Sequence, residues 1–207
     1  MNDRITVAAV KAKPDYSHVH VNRLCAAVRR HLSVPHRFIC LTDDPRGVAC
    51  ATHPLPRGVG GWWAKLALFA DRKLNGRVIY FDLDTLIVDS IDFMAHYDGD
   101  FALLRDFYRP EGYGSGVMLW NKPRPDIWSD WDAAGRPIHP LGDQGWMEQK
   151  VANADRVQDL WPGRVVSYKV HCQDARPEKA AVICFHGVPK MDDFDDTHWV
   201  RKAWTST

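Results

Sequence analysis

Apolar positions along this 207-residue chain form short continuous runs separated by one clear helical stripe. Ile5 to Val10 is a run of apolar and β-branched residues that predicts a buried strand. The next apolar residues recur at i, i+3, i+4, i+7 and i+11, the spacing of an amphipathic helix. They are Val21, Leu24, Cys25, Val28 and Leu32. Arg37 to Leu41 predicts a second strand, so the chain begins as a β-α-β unit, which favours a parallel sheet.

Later segments continue this alternation of strands and helices. A helix is predicted from Trp62 to Leu74, with Gly76 placed to stop it, and Asp143 is suited to cap a later helix. A further helix begins at Pro125 and ends before Gly135. The remaining strands are predicted at Val78 to Phe81, Phe101 to Leu104, Gly116 to Trp120, Val165 to Val170 and Ala181 to Phe185. The pattern predicts a single α/β domain over residues 1–207.

Composition excludes several classes of protein. Hydrophobic residues are 45% and charged residues 26%, which is ordinary for a globular domain. A net charge of +1 gives no electrostatic reason to expect a nucleic-acid partner. Five cysteines without a Cys-x-x-Cys pair predict reduced thiols and a cytoplasmic protein. No segment has the length and apolarity of a membrane span, and the N-terminus does not resemble a signal peptide.

Two acids follow the predicted strand Val78 to Phe81. Residues i and i+2 of an extended backbone face the same way, so Asp82 and Asp84 can converge on one cation or phosphate-bearing ligand. In open α/β sheets the carboxyl ends of the strands are where ligands bind. The alternative is that both acids are only turn formers.

A second strand end carries complementary chemistry in the segment His186-Gly187-Val188-Pro189-Lys190. Two carboxylates and an imidazole suit Mn²⁺, whereas Mg²⁺ prefers oxygen and water. Gly187 would let a backbone amide approach a ligand closely, and Lys190 would add positive charge. A cation, a bare amide and a lysine together fit a diphosphate, and hence a sugar nucleotide.

Five segments, in their order and approximate spacing, resemble GT-A fold glycosyltransferases of the retaining glycogenin and galactosyltransferase type. They are Trp63-Ala64-Lys65-Leu66-Ala67-Leu68-Phe69, Arg77 through Asp84, Gly114-Ser115-Gly116-Val117-Met118, Asp143-Gln144-Gly145 and the segment from His186. The resemblance implies a Rossmann-like mixed, mainly parallel sheet flanked by helices. It also implies a nucleotide-binding half in residues 1–90, and a sugar and acceptor half in residues 91–207 that ends in the metal and diphosphate segment.

The resemblance implies Asp82, Asp84 and His186 as metal ligands, with Asp82 also near the donor ribose. Lys190 would contact the diphosphate, and Lys65 would lie beside the donor site. From the helical pattern alone, the Lys65 side chain is expected to face solvent, unless the sheet edge lies next to it.

Three further residues match positions of the family. Tyr16 lies where the family places an aromatic ring against the nucleotide base, although it could be an ordinary loop residue. Asp143 and Gln144 match an Asp-Gln pair beside the transferred sugar and the acceptor, and Asp143 could instead only cap its helix. The chain departs from the family at Gly114, where an asparagine is usual, and after Lys190, where the usual Pro-Trp is absent.

The expected function is transfer of a hexose from a nucleotide-diphosphate sugar, with UDP expected, to a carbohydrate or other hydroxyl acceptor, using Mn²⁺ or Mg²⁺. Retention of configuration is expected through front-face attack, and Asp143 is the one carboxylate to test for a double displacement. One alternative is a haloacid dehalogenase-like phosphatase with Asp82 as its nucleophile. The other is a nucleotide-sugar or carbohydrate-binding domain without turnover. The sequence leaves the oligomeric state open.

Overall fold

The computed structural model describes residues 5–12, 16–71, 74, 76–151 and 153–206. The first half contains β1 Ile5–Lys11, α1 His18–His31, β2 His36–Thr42, β3 Ala51–Pro54, a 3-10 helix Gly61–Phe69, β4 Val78–Phe81 and β5 Thr85–Ile87. The middle contains α2 Asp92–Ala95, β6 Phe101–Arg105, β7 Tyr113–Trp120, α3 Pro125–Ala133 and α4 Gly142–Lys150. The last part contains β8 Asp155–Arg156, α5 Val157–Leu160, β9 Val165–Ser167, α6 Tyr168–His171, β10 Val182–Cys184, a short 3-10 helix Met191–Asp193 and α7 Trp199–Thr205.

The main sheet has seven strands in the order β3-β2-β1-β4-β7-β6-β8. Strands β3, β2, β1 and β4 are parallel, and β7 runs antiparallel to both β4 and β6. Strand β8 is parallel to β6. The predicted α/β class and the mainly parallel mixed sheet are confirmed.

Alternating residues of the central strands supply the cores on the two faces of this sheet. On one face, Ile79 and Phe81 of β4 pack with the apolar stripe of α1. On the other face, Val78 and Tyr80 pack with the 3-10 helix Gly61–Phe69, α3 and α4. This helix is buried on all sides from Ala64 to Phe69, so packing stabilises it more than propensity does.

A second, three-stranded sheet has the order β5-β10-β9. Strand β10 is antiparallel to β5 and parallel to β9. Its core, which includes Leu86, Ile183, Phe185 and Trp204, also receives α6 and α7. The two sheets meet directly after β4, because β5 begins only three residues beyond Asp82.

Several predicted boundaries are wrong, and strand β7 begins at Tyr113 rather than at Gly116. The helix expected from Trp62 to Leu74 is a 3-10 helix that ends at Phe69, where the N–H of Ala70 donates to the carbonyl of Ala67 at 3.1 Å. The strand expected from Val165 to Val170 stops at Ser167, because the Ser167 hydroxyl accepts from the Val170 N–H and starts α6. Helix α4 begins at Gly142, so Asp143 lies inside it, and Leu141 at the N-cap position makes no side-chain cap hydrogen bond.

All five cysteines are free thiols. Among the helices of the described ranges, none combines the length and the apolarity that a bilayer crossing needs.

Candidate functional site

Strands β4 and β7 place Asp82 at the carboxyl end of the central parallel strand. The backbone N–H of Asp82 donates to the carbonyl of Gly116 at 2.9 Å, which extends the β4–β7 pairing by one residue. A Cβ at Gly116 would lie 3.3 Å from Asp82 Oδ2. Glycine at 116 therefore leaves room for the Asp82 carboxylate beside β7.

Lys65 is buried at the centre of this group of acids. Its Nζ lies 3.0 Å from Asp82 Oδ1 and 3.3 Å from Asp143 Oδ2. Burial alone would lower the pKa of Lys65, but the Asp143 and Asp82 carboxylates outweigh that effect and the pKa is raised. Lys65 is therefore charged at neutral pH, and the solvent-facing alternative for this side chain is wrong.

Asp143 belongs to the same buried group and is 5% exposed. Ser115 Oγ donates to Asp143 Oδ2 at 2.6 Å, and Lys65 Nζ donates to Ser115 Oγ at 2.9 Å. The Asp143 carboxylate lies inside the first turn of α4 and is directed at β7, so the cap interpretation of this residue is wrong. The 3-10 helix, β7 and α4 meet at these three side chains.

Tyr80 is a site residue that the sequence analysis missed. Its hydroxyl donates to Asp82 Oδ1. Burial, and then the charge of Asp82, raise the pKa of Tyr80 well above its usual value, so the hydroxyl stays protonated as a donor. The period of two along a strand could have identified it, because Tyr80 and Asp82 share one face.

Asp84 is the second acid of the pair and lies where the two sheets meet. The Tyr16 hydroxyl donates to Asp84 Oδ2 at 3.1 Å, and Lys190 Nζ contacts the same oxygen. Burial and the neighbouring charge of Asp82 raise the pKa of Asp84, and Lys190 and Tyr16 counter this in part. The structure thus brings Tyr16, Asp84 and Lys190 together.

Gly187 and Lys190 flank a basic region at the end of β10. Gly187 has a φ of +70°, and a Cβ at this position would lie 3.0 Å from Lys169 Nζ. Lys169, on α6, was missed by the sequence analysis, which assigned its segment to a strand. The Lys190 ammonium also lies 5.6 Å from the centre of the Tyr16 ring. Backbone and side chains here present positive charge beside the acidic pair.

The side chain of His186 is engaged by residues other than the two acids. Its Nε2 shares a 2.6 Å hydrogen bond with Ser167 Oγ, and its ring stacks on Phe107 at 5.7 Å. The backbones do meet, because the N–H of Phe185 donates to the carbonyl of Asp84 at 2.9 Å. Within the described ranges, no three His, Cys, Asp or Glu side chains are grouped to hold a metal ion. The predicted three-residue group is therefore not assembled in this conformation.

Gln144 belongs to a separate network. Its Nε2 donates to Asp106 Oδ2 at 2.6 Å, and the same carboxylate accepts from the Arg109 guanidinium at 2.9 Å. Arg109 in turn pairs with Glu148 at 2.6 Å. This network holds the loop between β6 and β7, which carries the exposed ring of Tyr108 against His186.

The charge of the central group fits a bound cation. Three carboxylates (Asp82, Asp84, Asp143) and two ammonium groups (Lys65, Lys190) give a formal charge of −1. The raised pKa of Asp84 reflects burial and repulsion by Asp82, and both effects would be relieved by a divalent ion. The oxygen donors of Asp82 and Asp84 fit Mn²⁺ or Mg²⁺. For His186 to join them through Nε2, that nitrogen would have to give up Ser167.

The structure also has a surface groove apart from these residues. It has a volume of about 710 Å³ and is lined by the carboxyl ends of β2 and β3 and by the loop that leads to the 3-10 helix. None of the predicted site residues lines it.

No family profile and no curated protein matches the sequence. Solved structures do match. The galactosyltransferase LgtC, in complex with donor and acceptor sugar analogues, has a TM-score of 0.66 at 16% identity, over 98% of this chain and 95% of that one. The glycosyltransferase GlyE of Streptococcus pneumoniae TIGR4 has a TM-score of 0.63 at 14% identity, over 98% of this chain and 59% of its own. The bifunctional glycosyltransferase WbbM has a TM-score of 0.68 at 10% identity, over 99% of this chain and 52% of its own.

These similarities establish the fold. The chain has the GT-A glycosyltransferase fold, as the sequence resemblance implied. It spans nearly all of LgtC but only about three fifths of GlyE and half of WbbM.

Proposed function

We propose that this protein is a metal-dependent glycosyltransferase. It transfers a hexose from a nucleotide-diphosphate sugar, with UDP as the expected nucleotide, to a hydroxyl acceptor. The observation that carries the proposal is the buried Lys65 ammonium between Asp82 and Asp143 at the carboxyl end of β4. In an open α/β sheet a ligand is expected outside the carboxyl end of such a strand. The Lys65 ammonium fixes two acids there, Asp82 from the first half of the chain and Asp143 from the second.

The donor side is assigned to residues 1–90 with the C-terminal segment. Asp82 and Asp84 would hold Mn²⁺ or Mg²⁺, and His186 would be the third ligand once it leaves Ser167. When bound, the ion offsets the negative charge that develops on the departing diphosphate. Lys190 contacts the diphosphate from the side of Asp84, and the ring of Tyr16 lies against the nucleotide base.

Gly187 supplies the bare backbone at the diphosphate. A side chain at this position would be strained by the φ of +70° and would crowd Lys169. Lys169 Nζ lies beside Gly187, and Lys190 follows three residues later in the chain, so two ammonium groups are available to a dianionic ligand.

The sugar and acceptor side is assigned to residues 91–207, with Asp143 and Gln144 beside the transferred sugar. Asp143 Oδ2 is engaged by Ser115 at 2.6 Å and Lys65 at 3.3 Å, which favours a positioning role for this carboxylate over attack on the sugar. Retention then follows from front-face attack, in which the diphosphate oxygen assists deprotonation of the acceptor hydroxyl. Gly114 supplies no side-chain contact to the sugar, and a Cβ there would lie 3.3 Å from Leu104 Cβ.

The phosphatase alternative requires Asp82 to be a free nucleophile. Asp82 Oδ1 instead accepts from Tyr80 and lies 3.0 Å from the Lys65 ammonium. Both contacts engage the Asp82 carboxylate, whereas the phosphatase alternative needs this carboxylate free to attack phosphorus. Strand β7, antiparallel to β4, also places this site in a mixed sheet.

Incubation with UDP- and GDP-sugars in Mn²⁺ tests the proposal, with nucleotide release and sugar products followed by mass spectrometry. The expected result is release of the nucleoside diphosphate that depends on Mn²⁺ and is lost in Asp82→Asn. Turnover of p-nitrophenyl phosphate that is lost in the same variant would favour the phosphatase instead. Nucleotide-sugar binding without turnover would favour the binding domain.

A further inference from the structure

Trp62 is an exposed indole in the first turn of a helix whose later residues are buried. It is 72% exposed, whereas Trp63, the next residue, stacks on Trp131 with ring centres 5.4 Å apart. The six residues Ala64 to Phe69 that follow are all buried. A single exposed apolar residue is common on protein surfaces, so exposure alone gives Trp62 no function. Its position in the fold is more informative.

That position is the start of α4, beside the charged group. A Cβ at Gly142 would lie 3.2 Å from Trp62 Cε3, and Gly142 has a φ of +62°. Glycine at 142 therefore permits both the backbone turn and the close approach of the indole. Asp143 follows Gly142 directly, and Lys65, which contacts Asp143, lies one helical turn after Trp62.

The two residues that precede Asp143 beside the indole, Leu141 and Gly142, carry no charge. Leu141, which precedes Gly142, is itself 42% exposed. A pyranose ring presents an apolar C–H face and a polar rim of hydroxyl groups. Indole rings offer such a face a broad flat surface, and nearby carboxylate and amide groups can bind the rim.

From this arrangement we infer that Trp62 is a stacking platform for the acceptor and that the acceptor is a neutral saccharide. The inference rests on the proposed function, and it names the acceptor class for that same site. A pyranose on Trp62 lies next to Gly142 and one residue from Asp143, so a hydroxyl on its rim can reach the group where the donor sugar is transferred. The absence of charge at Leu141 and Gly142 favours a neutral ring over a phosphorylated acceptor.

The test compares wild type with Trp62→Ala and Trp62→Phe. The probes are lactose, methyl β-glucoside, methyl β-galactoside and N-acetylglucosamine, and saturation-transfer NMR and calorimetry detect their binding without any turnover. At least one probe is expected to bind wild type and to bind Trp62→Ala about tenfold more weakly, with partial rescue in Trp62→Phe. Leu160→Ala, which truncates an exposed apolar residue on α5, is the control and is expected to leave binding unchanged.

Kinetics supply a second readout. With a working donor, Trp62→Ala is expected to raise the acceptor KM about tenfold and to change kcat less, because stacking is lost from ground and transition states alike. Circular dichroism and UDP affinity check that the variant is folded.

The inference is overturned if no saccharide probe binds wild type. It is equally overturned if Trp62→Ala binds the probes within twofold of wild type, or if only a peptide or a second copy of the chain occupies this surface. Trp62-dependent saccharide binding without any donor turnover would uphold the inference and contradict the transferase. Sugar transfer with an unchanged acceptor KM in Trp62→Ala would uphold the transferase and contradict the inference.

Discussion

The Lys65 ammonium lies 3.0 Å from Asp82 Oδ1 and ties the 3-10 helix Gly61–Phe69 to the loop that follows β4. The same ammonium reaches Asp143 Oδ2 at 3.3 Å. One buried cation thus holds the half-buried Asp82 and the buried Asp143, from distant parts of the chain, in a fixed geometry. Removing it would leave both acids close together without a counter-charge.

Lys65→Met is expected to destabilise the fold by about 3 kcal/mol, because it leaves a buried charge without its partner. Urea unfolding measures the effect, and Asp143→Asn in the Lys65→Met background should recover part of the loss. Lys122→Met is the control, since its 2.6 Å ion pair with Asp100 is on the surface and 73% exposed on the lysine side. The free energy of unfolding of Lys122→Met should be lower than that of wild type by no more than about 0.5 kcal/mol. Equal losses in the two lysine variants would contradict the structural role of Lys65.

Lys190→Met is expected to weaken binding of UDP about tenfold in Mn²⁺ and to leave binding of uridine unchanged. The reason is that Lys190, which contacts Asp84 here, is proposed to contact the diphosphate and not the base. Calorimetry with both ligands measures the two affinities. Lys202→Met, on the exposed side of α7, is the control. A parallel loss of uridine affinity would place Lys190 elsewhere in the site.

Variants at His186 and at Ser167 together test whether His186 is the third metal ligand. His186→Ala is expected to weaken Mn²⁺-dependent UDP binding about tenfold. Ser167→Ala should leave that affinity equal or higher, because it removes the hydrogen bond that competes for His186 Nε2. His171→Ala is the matched control, since His171 also contacts Ser167 but is exposed. Unchanged affinity in His186→Ala would remove this histidine from the metal site.

The Asp106 carboxylate is expected to make the free energy of unfolding depend on pH in the acid range. Burial alone would raise its pKa, but the N–H groups of Tyr108 and Arg109 and the Arg109 guanidinium outweigh it, so the pKa is lowered. Its stabilising contribution is therefore complete above the unfolded pKa of about 3.9 and is lost as pH falls through the folded pKa. Asp106→Asn should be about 1 kcal/mol less stable than wild type at pH 7, and the difference should shrink at pH 3. Asp174→Asn, at an exposed position, is the control.

Much of the fold followed from the sequence because hydrophobic periodicity reports burial directly. Ile5 to Val10, the stripe of α1 and Val78 to Phe81 were all assigned correctly. The segments Trp62 to Leu74 and Val165 to Val170 were not, because tertiary burial sets the first and the Ser167 hydroxyl redirects the second. Local pattern cannot reveal either cause.

The site was predictable only in part for a similar reason. Lys190 contacts Asp84, two residues after Asp82, although β10 belongs to the second sheet and not to the sheet of β4. Tyr80 and Ser115 were missed, since neither a strand tyrosine nor a serine in a Gly-Ser-Gly segment signals a charged partner. The buried position of Lys65 depends on β7 and α4, which come later in the chain. The orientation of His186 depends on contacts with Phe107 and Ser167 that no spacing predicts.

Calorimetric titration of UDP and GDP, with Mn²⁺ and with EDTA, tests the central claim most directly, on wild type and on Asp82→Asn and Asp84→Asn. The account predicts that one nucleotide, expected to be UDP, binds wild type at least about tenfold more tightly with Mn²⁺ than with EDTA. It also predicts that both variants lose this difference while remaining folded by circular dichroism. Nucleotide binding of equal affinity in EDTA, or no binding of either nucleotide, would contradict it.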